Sequence, residues 1–267
     1  MDVSKDDLIL ALEVLCRRAG KAILDVKAQG VHAHFKPDGS PVTQADLAAN
    51  AVLLQGLERQ LPDWPCISEE MEGIPQALKD PHQDFILIDP LDGTREFIDH
   101  GGDYTVNVAL IRQRRPILGV VHMPETGLSW IGDCRSEHPK AWQVSADGAW
   151  QLVRVRKSKA ALTVLLSRSH GDPETKAFLS MLNLGASIMR GSSLKFCLIA
   201  RGDGDLYPRF GPTMEWDIAA GDAVLNAAGG QVLGLDAKLF LYGQFEKAFK
   251  NSGFLALGDP AIARRLF

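Results

Sequence analysis

Four apolar residues, Phe85-Ile-Leu-Ile88, run without a polar break into Asp89-Pro-Leu-Asp-Gly-Thr94. An unbroken apolar run of this length is the mark of a strand covered on both faces, so the chain must fold with layers on either side of it. Both carboxylates then lie where the strand ends. Pro90 fixes one φ and removes an N–H, which makes the bend between Asp89 and Asp92 stiff enough to aim two side chains and the Leu91 carbonyl at one point. Three hard oxygens converging in this way suit Mg²⁺. The Gly93 and Thr94 amides, opening a short helical piece over 94–98, face outward as an anion site. Asp-Pro and Asp-Gly are also common turn dipeptides, and taken alone the hexapeptide reads as a solvated loop followed by a helix cap. The remaining carboxylates of the chain decide between the two.

At 267 residues the chain is long for one core and short for three, which predicts one large domain or two intimately packed ones. The net charge of −4, with no basic run, argues against a nucleic-acid partner but leaves room for a small anionic ligand. Cys16, Cys66, Cys134 and Cys197 are scattered without C-x-x-C spacing, so neither a zinc site nor a disulfide framework is indicated, and a reducing cytoplasm fits. The first residues lack the basic n-region of a signal peptide, and no apolar run approaches the ~20 residues that span a bilayer.

In chain order, Ser4 opens an amphipathic helix whose apolar face is Leu8, Leu12, Leu15, Ala19, Ile23 and Val26 and which ends before Gly30. Thr43 and Asp46 have capping-box spacing ahead of a second helix reaching about Leu61, so Asp46 is at the least a helix cap. A short strand, Cys66-Ile-Ser68, leads to Glu69-Glu70. An antiparallel meander follows, over 105–112, 117–123, 129–131, 142–144 and 150–155. The basic stretch Arg154-Val-Arg-Lys-Ser-Lys159 marks a boundary, beyond which the pattern becomes α/β: strands at 162–166, 187–189, 206–207, 231–233 and 254–257 alternate with helices at 173–184, 192–200, 216–228 and 261–266. In Glu215-Trp-Asp-Ile-Ala-Ala-Gly221, Asp217 sits in a first helical turn, where the dipole favours a carboxylate, and Ala219, Ala220 and Gly221 make a flat face for close packing.

Ser68-Glu-Glu70, Asp89-Pro-Leu-Asp-Gly-Thr94 and Trp216-Asp-Ile-Ala-Ala-Gly221, in this order and at these separations, resemble the signature of the inositol monophosphatase superfamily of Mg²⁺-dependent, lithium-sensitive phosphatases. Ser40-Pro-Val-Thr43, Ser167-Arg-Ser-His170, Gly191-Ser-Ser-Leu-Lys-Phe-Cys197 and Leu206-Tyr-Pro-Arg-Phe-Gly-Pro212 are similar to those of its 3′(2′),5′-bisphosphate nucleotidase branch. The resemblance implies a layered αβαβα sandwich of mixed α+β and α/β type, with an N-terminal α+β half (1–157) and a C-terminal α/β half (158–267). It further implies that Glu69, Asp89 and the Leu91 carbonyl hold one Mg²⁺, that Asp89, Asp92 and Asp217 hold a second, and that a third ion can join them. Thr94 and Asp46 would orient the attacking water, with Glu70 assisting. Gly93 and Thr94 would receive the phosphate, while His170, Ser192, Lys195, Tyr207, Arg209 and Asp217 would hold the nucleotide.

The position seven residues before Asp217, acidic in the inositol phosphatases, is here Phe210 beside Arg209, which favours a second anionic group over a neutral polyol. The expected activity is hydrolysis of the 3′-phosphate of adenosine 3′,5′-bisphosphate, with its sulfated parent as a further candidate substrate, to give AMP and phosphate. The rivals are a broad-specificity inositol monophosphatase or fructose-1,6-bisphosphatase, and a catalytically silent ligand-binding protein on the same fold. A nucleotide bisphosphate is the expected partner, with the chain a monomer or a homodimer, in the cytoplasm or peripheral at the inner face of the cell membrane.

Overall fold

A computed structural model describes residues 7–36, 39–71, 73, 78, 80, 82–168 and 173–267. The first half opens with α1 (Asp7–Gln29), the small hairpin β1 (Ala33–Phe35) and β2 (Pro41–Thr43), and α2 (Gln44–Gln60). It continues through β3 (Cys66–Ser68), β4 (Phe85–Asp92), α3 (Thr94–Ile98), β5 (Thr105–Arg112), β6 (Arg115–Met123), β7 (Leu128–Asp133), β8 (Lys140–Val144) and β9 (Trp150–Val153). The second half holds β10 (Leu162–Ser167), α4 (Pro173–Ser180), β11 (Leu184–Arg190), α5 (Leu194–Ala200), β12 (Leu206–Arg209), β13 (Thr213–Met214) and α6 (Glu215–Ala227). After these come β14 (Gln231–Gly234), β15 (Lys250–Asn251), β16 (Phe254–Leu257) and α7 (Ala263–Leu266).

Among the described residues β3 to β9 form one sheet in sequence order, with β3 parallel to β4 and every later pair antiparallel. A second sheet has the order β11-β10-β12-β16-β14, parallel among its first three strands and antiparallel on both sides of β16. Side-chain alternation along the strands sorts the apolar residues into four interfaces. Ile86, Ile88, Val106 and Val108 point to α1 and α2, meeting Leu12, Leu15, Ile23, Leu53 and Leu57. Phe85, Leu87, Ala109 and Ile111 point the other way, to Phe196 on α5 and Ile218, Val224 and Leu225 on α6. Those helices in turn rest on Tyr207, Val232, Phe254 and Ala256 of the second sheet. Its opposite face (Leu162, Val164, Leu206, Leu255, Leu257) is covered by Phe178 and Leu179 of α4 and by Ile262 and Leu266. Four interfaces between five layers give the αβαβα sandwich, and the run 85–88 is covered on both faces as its composition demands. Each fully buried Leu, Ile or Phe in these interfaces contributes about 1.5–3 kcal/mol relative to exposure.

The flat face of α6 meets the first sheet at Gly119 and Gly132, cross-strand partners on β6 and β7. A Cβ at Gly119 would lie 2.6 Å from Ala223 Cβ and 2.7 Å from the Ala220 carbonyl oxygen, and one at Gly132 would collide with the Ala223 carbonyl. Helix and sheet therefore touch backbone to backbone.

Local structure departs from expectation in four places. β4 runs on to Asp92, so the acids lie within its last turn of pleat rather than after it. The helix from Pro173 stops at Ser180, where Met181 and Leu182 close a turn onto Phe178 and Leu179, and the chain from Leu184 is strand. α5 begins at Leu194 because Ser192 takes a φ of 44°, which no right-handed helix accommodates. The end of the chain divides between a 3₁₀ turn at Pro260–Ile262 and α7. The predicted Ser4 cap lies outside the described residues. No helix among those described is long and apolar enough to cross a membrane.

Candidate active site

A spacing of three along a regular strand would send Asp89 and Asp92 to opposite faces. The register of β4 against β5 prevents this: Asp89 pairs with Asn107 and Asp92 with Thr105, so Pro90 and Leu91 stand opposite the single residue Val106. This bulge turns both acids to one side. On the neighbouring strand the Glu69 N–H donates to the Ile88 carbonyl (3.1 Å), which carries Glu69 alongside Asp89. Asp217 arrives from the first turn of α6, its Oδ2 accepting from the Met214 N–H (2.8 Å). Carboxylate oxygens of Glu69, Asp89 and Asp217 thereby lie within 4.8 Å of one another. Asp92 stands to one side of this trio, its Oδ2 accepting from the Ser193 N–H (2.6 Å) and Asn107 Nδ2 (3.4 Å).

The capping box at the start of α2 is formed: Asp46 Oδ2 accepts from the Thr43 N–H (2.7 Å) and from Thr43 Oγ1 (2.6 Å). Its other oxygen receives the Thr94 hydroxyl (3.2 Å), which also lies 3.1 Å from the Leu91 carbonyl oxygen. Asp46 is thus both a helix cap and the partner of Thr94. Gly93, at φ 93°, turns the chain from β4 into α3. Lys36, in the polar loop between β1 and β2, bridges Glu69 (3.1 Å) and Glu70 (2.8 Å).

One cleft is lined by Glu69, Asp92, Gly93, Thr94 and Asp217 on one wall and by Ser192, Lys195, Tyr207 and Arg209 on another. Arg209 is 8% exposed; Nη2 donates to the Pro212 carbonyl (3.3 Å) and Nε has no partner among the described residues. Lys195 is buried and committed, donating to the carbonyls of Arg190 (3.2 Å) and Ser192 (2.5 Å) with its ammonium 4.9 Å from the Tyr207 ring centre. Burial pushes that ammonium down to about 8 despite the nearby Asp92. Tyr207 packs edge-on against Phe196 and Phe254. Phe210 turns away from the cleft to pack on Phe178. His170 falls outside the described residues.

Too much negative charge is buried here for the cations present. Burial first, then Glu69, Asp92 and Asp217, raise Asp89 well above the ordinary carboxylate range. Asp217 is raised in the same way by burial and by Asp92, and burial takes Asp92 to about 6. Asp46 is raised by burial against the hydrogen bonds from Thr43. Hard oxygen donors crowded together and pushed toward their neutral form by burial and by one another are a set that fits a divalent cation of the Mg²⁺ type.

A pH dependence follows, with a definite sign. Groups whose folded pKa is raised add stability below the ordinary carboxylate value of 3.8, and that stability is lost as the pH rises, through about 6 for Asp92; Asp89 and Asp217, raised by burial and by their neighbours, act in the same direction. The metal-free protein is therefore expected to melt at progressively lower temperature as the pH is raised from about 4 to above 6, and saturating Mg²⁺ to abolish that decline. Melting curves with and without the ion across this window test it; parallel curves would refute the cation assignment.

Residues 4–263 match the model of the inositol monophosphatase family. The 3′(2′),5′-bisphosphate nucleotidase CysQ of Salmonella typhimurium is 43% identical over 242 residues, covering 90% of this chain and 95% of that protein. CysQ of Escherichia coli K12 matches at the same identity and coverage. Among solved structures, CysQ from Bacteroides thetaiotaomicron superposes with a TM-score of 0.80 at 30% identity, covering 94% of this chain and 96% of that one. An inositol monophosphatase from Thermotoga maritima, at 19% identity and a TM-score of 0.72 over 95% of this chain and 93% of that one, shares the fold.

Proposed function

The chain belongs to the inositol monophosphatase family, and on that premise we propose that it is a metal-dependent 3′(2′),5′-bisphosphate nucleotidase, converting adenosine 3′,5′-bisphosphate and water to AMP and phosphate. The observation that carries this reading is the shared cleft, with acids and Thr94 on one wall and Arg209 and Tyr207 on another. One wall meets the scissile phosphate and the other meets a second anionic group.

Glu69, Asp89 and the Leu91 carbonyl would hold one Mg²⁺, and Asp89, Asp92 and Asp217 another, with Asp89 shared. When bound, the ions supply the charge that makes a water nucleophilic near neutral pH and neutralises the phosphate oxygens. The chain supplies the rest. Thr94 donates its hydroxyl hydrogen bond to Asp46, which leaves its oxygen lone pairs free to accept a hydrogen bond from the attacking water and so to orient it. Asp46 is held for this by Thr43 and made more basic by burial. Glu70 steadies the water from behind through its pairing with Lys36. The Gly93 and Thr94 amides receive phosphate oxygens.

Arg209 provides the second-phosphate contact, since its Nε is buried without a partner and Lys195 is engaged with backbone carbonyls. Phe210, packed against Phe178, offers no carboxylate to polyol hydroxyls. A charge-assisted contact of this kind is worth about 1.5–3 kcal/mol, or roughly ten- to hundredfold in kcat/KM. Arg209→Ala is expected to lower kcat/KM on adenosine 3′,5′-bisphosphate by that factor while leaving 3′-AMP, which has no 5′-phosphate, nearly unaffected. Equal losses on both substrates would assign Arg209 to the scissile phosphate or to the fold. A wild-type preference for inositol 1-phosphate would overturn the nucleotidase reading.

A further inference from the structure

We propose that Thr105, Ser193 and Asn107 are positioning residues that lock one oxygen of Asp92 in place and reserve the other for the cation, an inference that rests on Asp92 being one of the acids that hold the metal. All three are buried, at 0%, 1% and 1% exposure. Their hydrogen-bond directions are fixed by elimination. Asn107 Oδ1 can only accept, so the Ser193 hydroxyl donates to it at 2.8 Å. That uses the one proton on Ser193 Oγ, so the 2.8 Å contact with Thr105 Oγ1 has Thr105 as donor. With its oxygen thus engaged, the Asn107 amide must present Nδ2 to Asp92, whose Oδ2 it meets at 3.4 Å. The Ser193 N–H reaches the same oxygen at 2.6 Å. Two donors converge on Oδ2, and among the described residues none reaches Oδ1.

Each member is placed by structure already set out. Asn107 and Thr105 are the cross-strand partners of Asp89 and Asp92, so the bulge that brings the acids together also brings these two side chains to them. Ser193 comes from the other half of the chain, on a turn where Ser192 holds a φ of 44° and Lys195 grips the Arg190 and Ser192 carbonyls. Lys195 therefore shapes the turn that presents the Ser193 N–H. The need for such a relay is geometric. Mg²⁺ demands near-ideal octahedral bonds, and a carboxylate free to rotate offers either oxygen at varied angles. Groups that orient a ligand from behind are worth about ten- to hundredfold in metal affinity.

Mg²⁺ binding to the full chain without substrate, measured by calorimetry and by the rise in melting temperature with Mg²⁺, separates a positioning role from a merely structural one. Asn107→Leu is expected to weaken Mg²⁺ binding about ten- to hundredfold. Ser193→Ala, which keeps the backbone N–H, should weaken it less, and Ser193→Thr should restore it. Ser129→Ala is the control: it removes an equally buried hydroxyl, bonded to Glu13 and His122 on the far side of the first sheet, and should lower the melting temperature with Mg²⁺ affinity intact. Wild-type affinity in both Asn107→Leu and Ser193→Ala overturns the relay. If Asn107→Leu does not fold, the Ser193 pair decides alone. Asp92→Asn tells the two failures apart: if it too binds like wild type, the metal role of Asp92 is wrong, whereas if it alone loses affinity only the relay is wrong.

Discussion

An Asp89→Asn variant is expected to lose at least about a thousandfold in kcat while remaining folded. Asp89 is 1% exposed, lies within 4.8 Å of the Glu69 and Asp217 oxygens, and is the acid shared by both ions in the proposed arrangement. Its loss leaves neither ion properly held, and forfeiting several kcal/mol of charge stabilisation at about 1.4 kcal/mol per tenfold gives the stated magnitude. Folding survives because asparagine fills the same volume and removes a charge that burial, Glu69, Asp92 and Asp217 all oppose. The metal-free variant should melt no lower than wild type, while its stabilisation by Mg²⁺ shrinks. Near wild-type phosphate release at saturating Mg²⁺ would sink the shared-acid arrangement.

Thr94→Ala is expected to lower kcat by roughly a hundred- to ten-thousandfold, the range in which a positioned proton acceptor acts. The loss should fall on kcat more than on KM, because in the proposed arrangement the Thr94–Asp46 pair acts on the water in the transition state rather than on the bound nucleotide. Thr94→Ser retains the hydroxyl and should recover most of the rate. Steady-state kinetics of the two variants at saturating metal is the measurement. An alanine variant within tenfold of wild type would mean that water is oriented by something else.

The parts of the site that depend on local spacing were legible in the sequence. The capping box joining Thr43 to Asp46, the buried run ending in Asp89 and the placing of Asp217 in a first helical turn each involve residues a few positions apart. Residues brought in by register were not legible. Asn107 and Thr105 matter because of a bulge between β4 and β5, and Ser193 because a turn from the other half reaches Asp92. Nothing in their own neighbourhoods signals this. Lys36 was hidden for a different reason, since a lysine in a polar loop has the composition of a solvated charge. At fold level, periodicity identified most strands and helices but could not choose how the layers stack, which came from the family resemblance. The overrun of the helix beyond Ser180 shows the same weakness, because 181–184 has apolar residues compatible with either a helix or a turn leading into a strand.

The bare contact between α6 and the Gly119–Gly132 pair works as a gauge. Most packed layers are separated by side chains, which hop between rotamers and yield slightly under load, so the gap between two layers is a soft quantity. At Gly119 and Gly132 the spacer is missing, and there the helix that carries Asp217 is seated against the bare main chain of the sheet that carries Asp89. The gap between helix and sheet at this point is thus set by covalent dimensions instead of by the fit of a core. Substitutions in the outer two interfaces can cost melting temperature without altering the grip on metal. A single methyl group added at Gly132, remote from the acids in sequence, pries the jaws of the site apart.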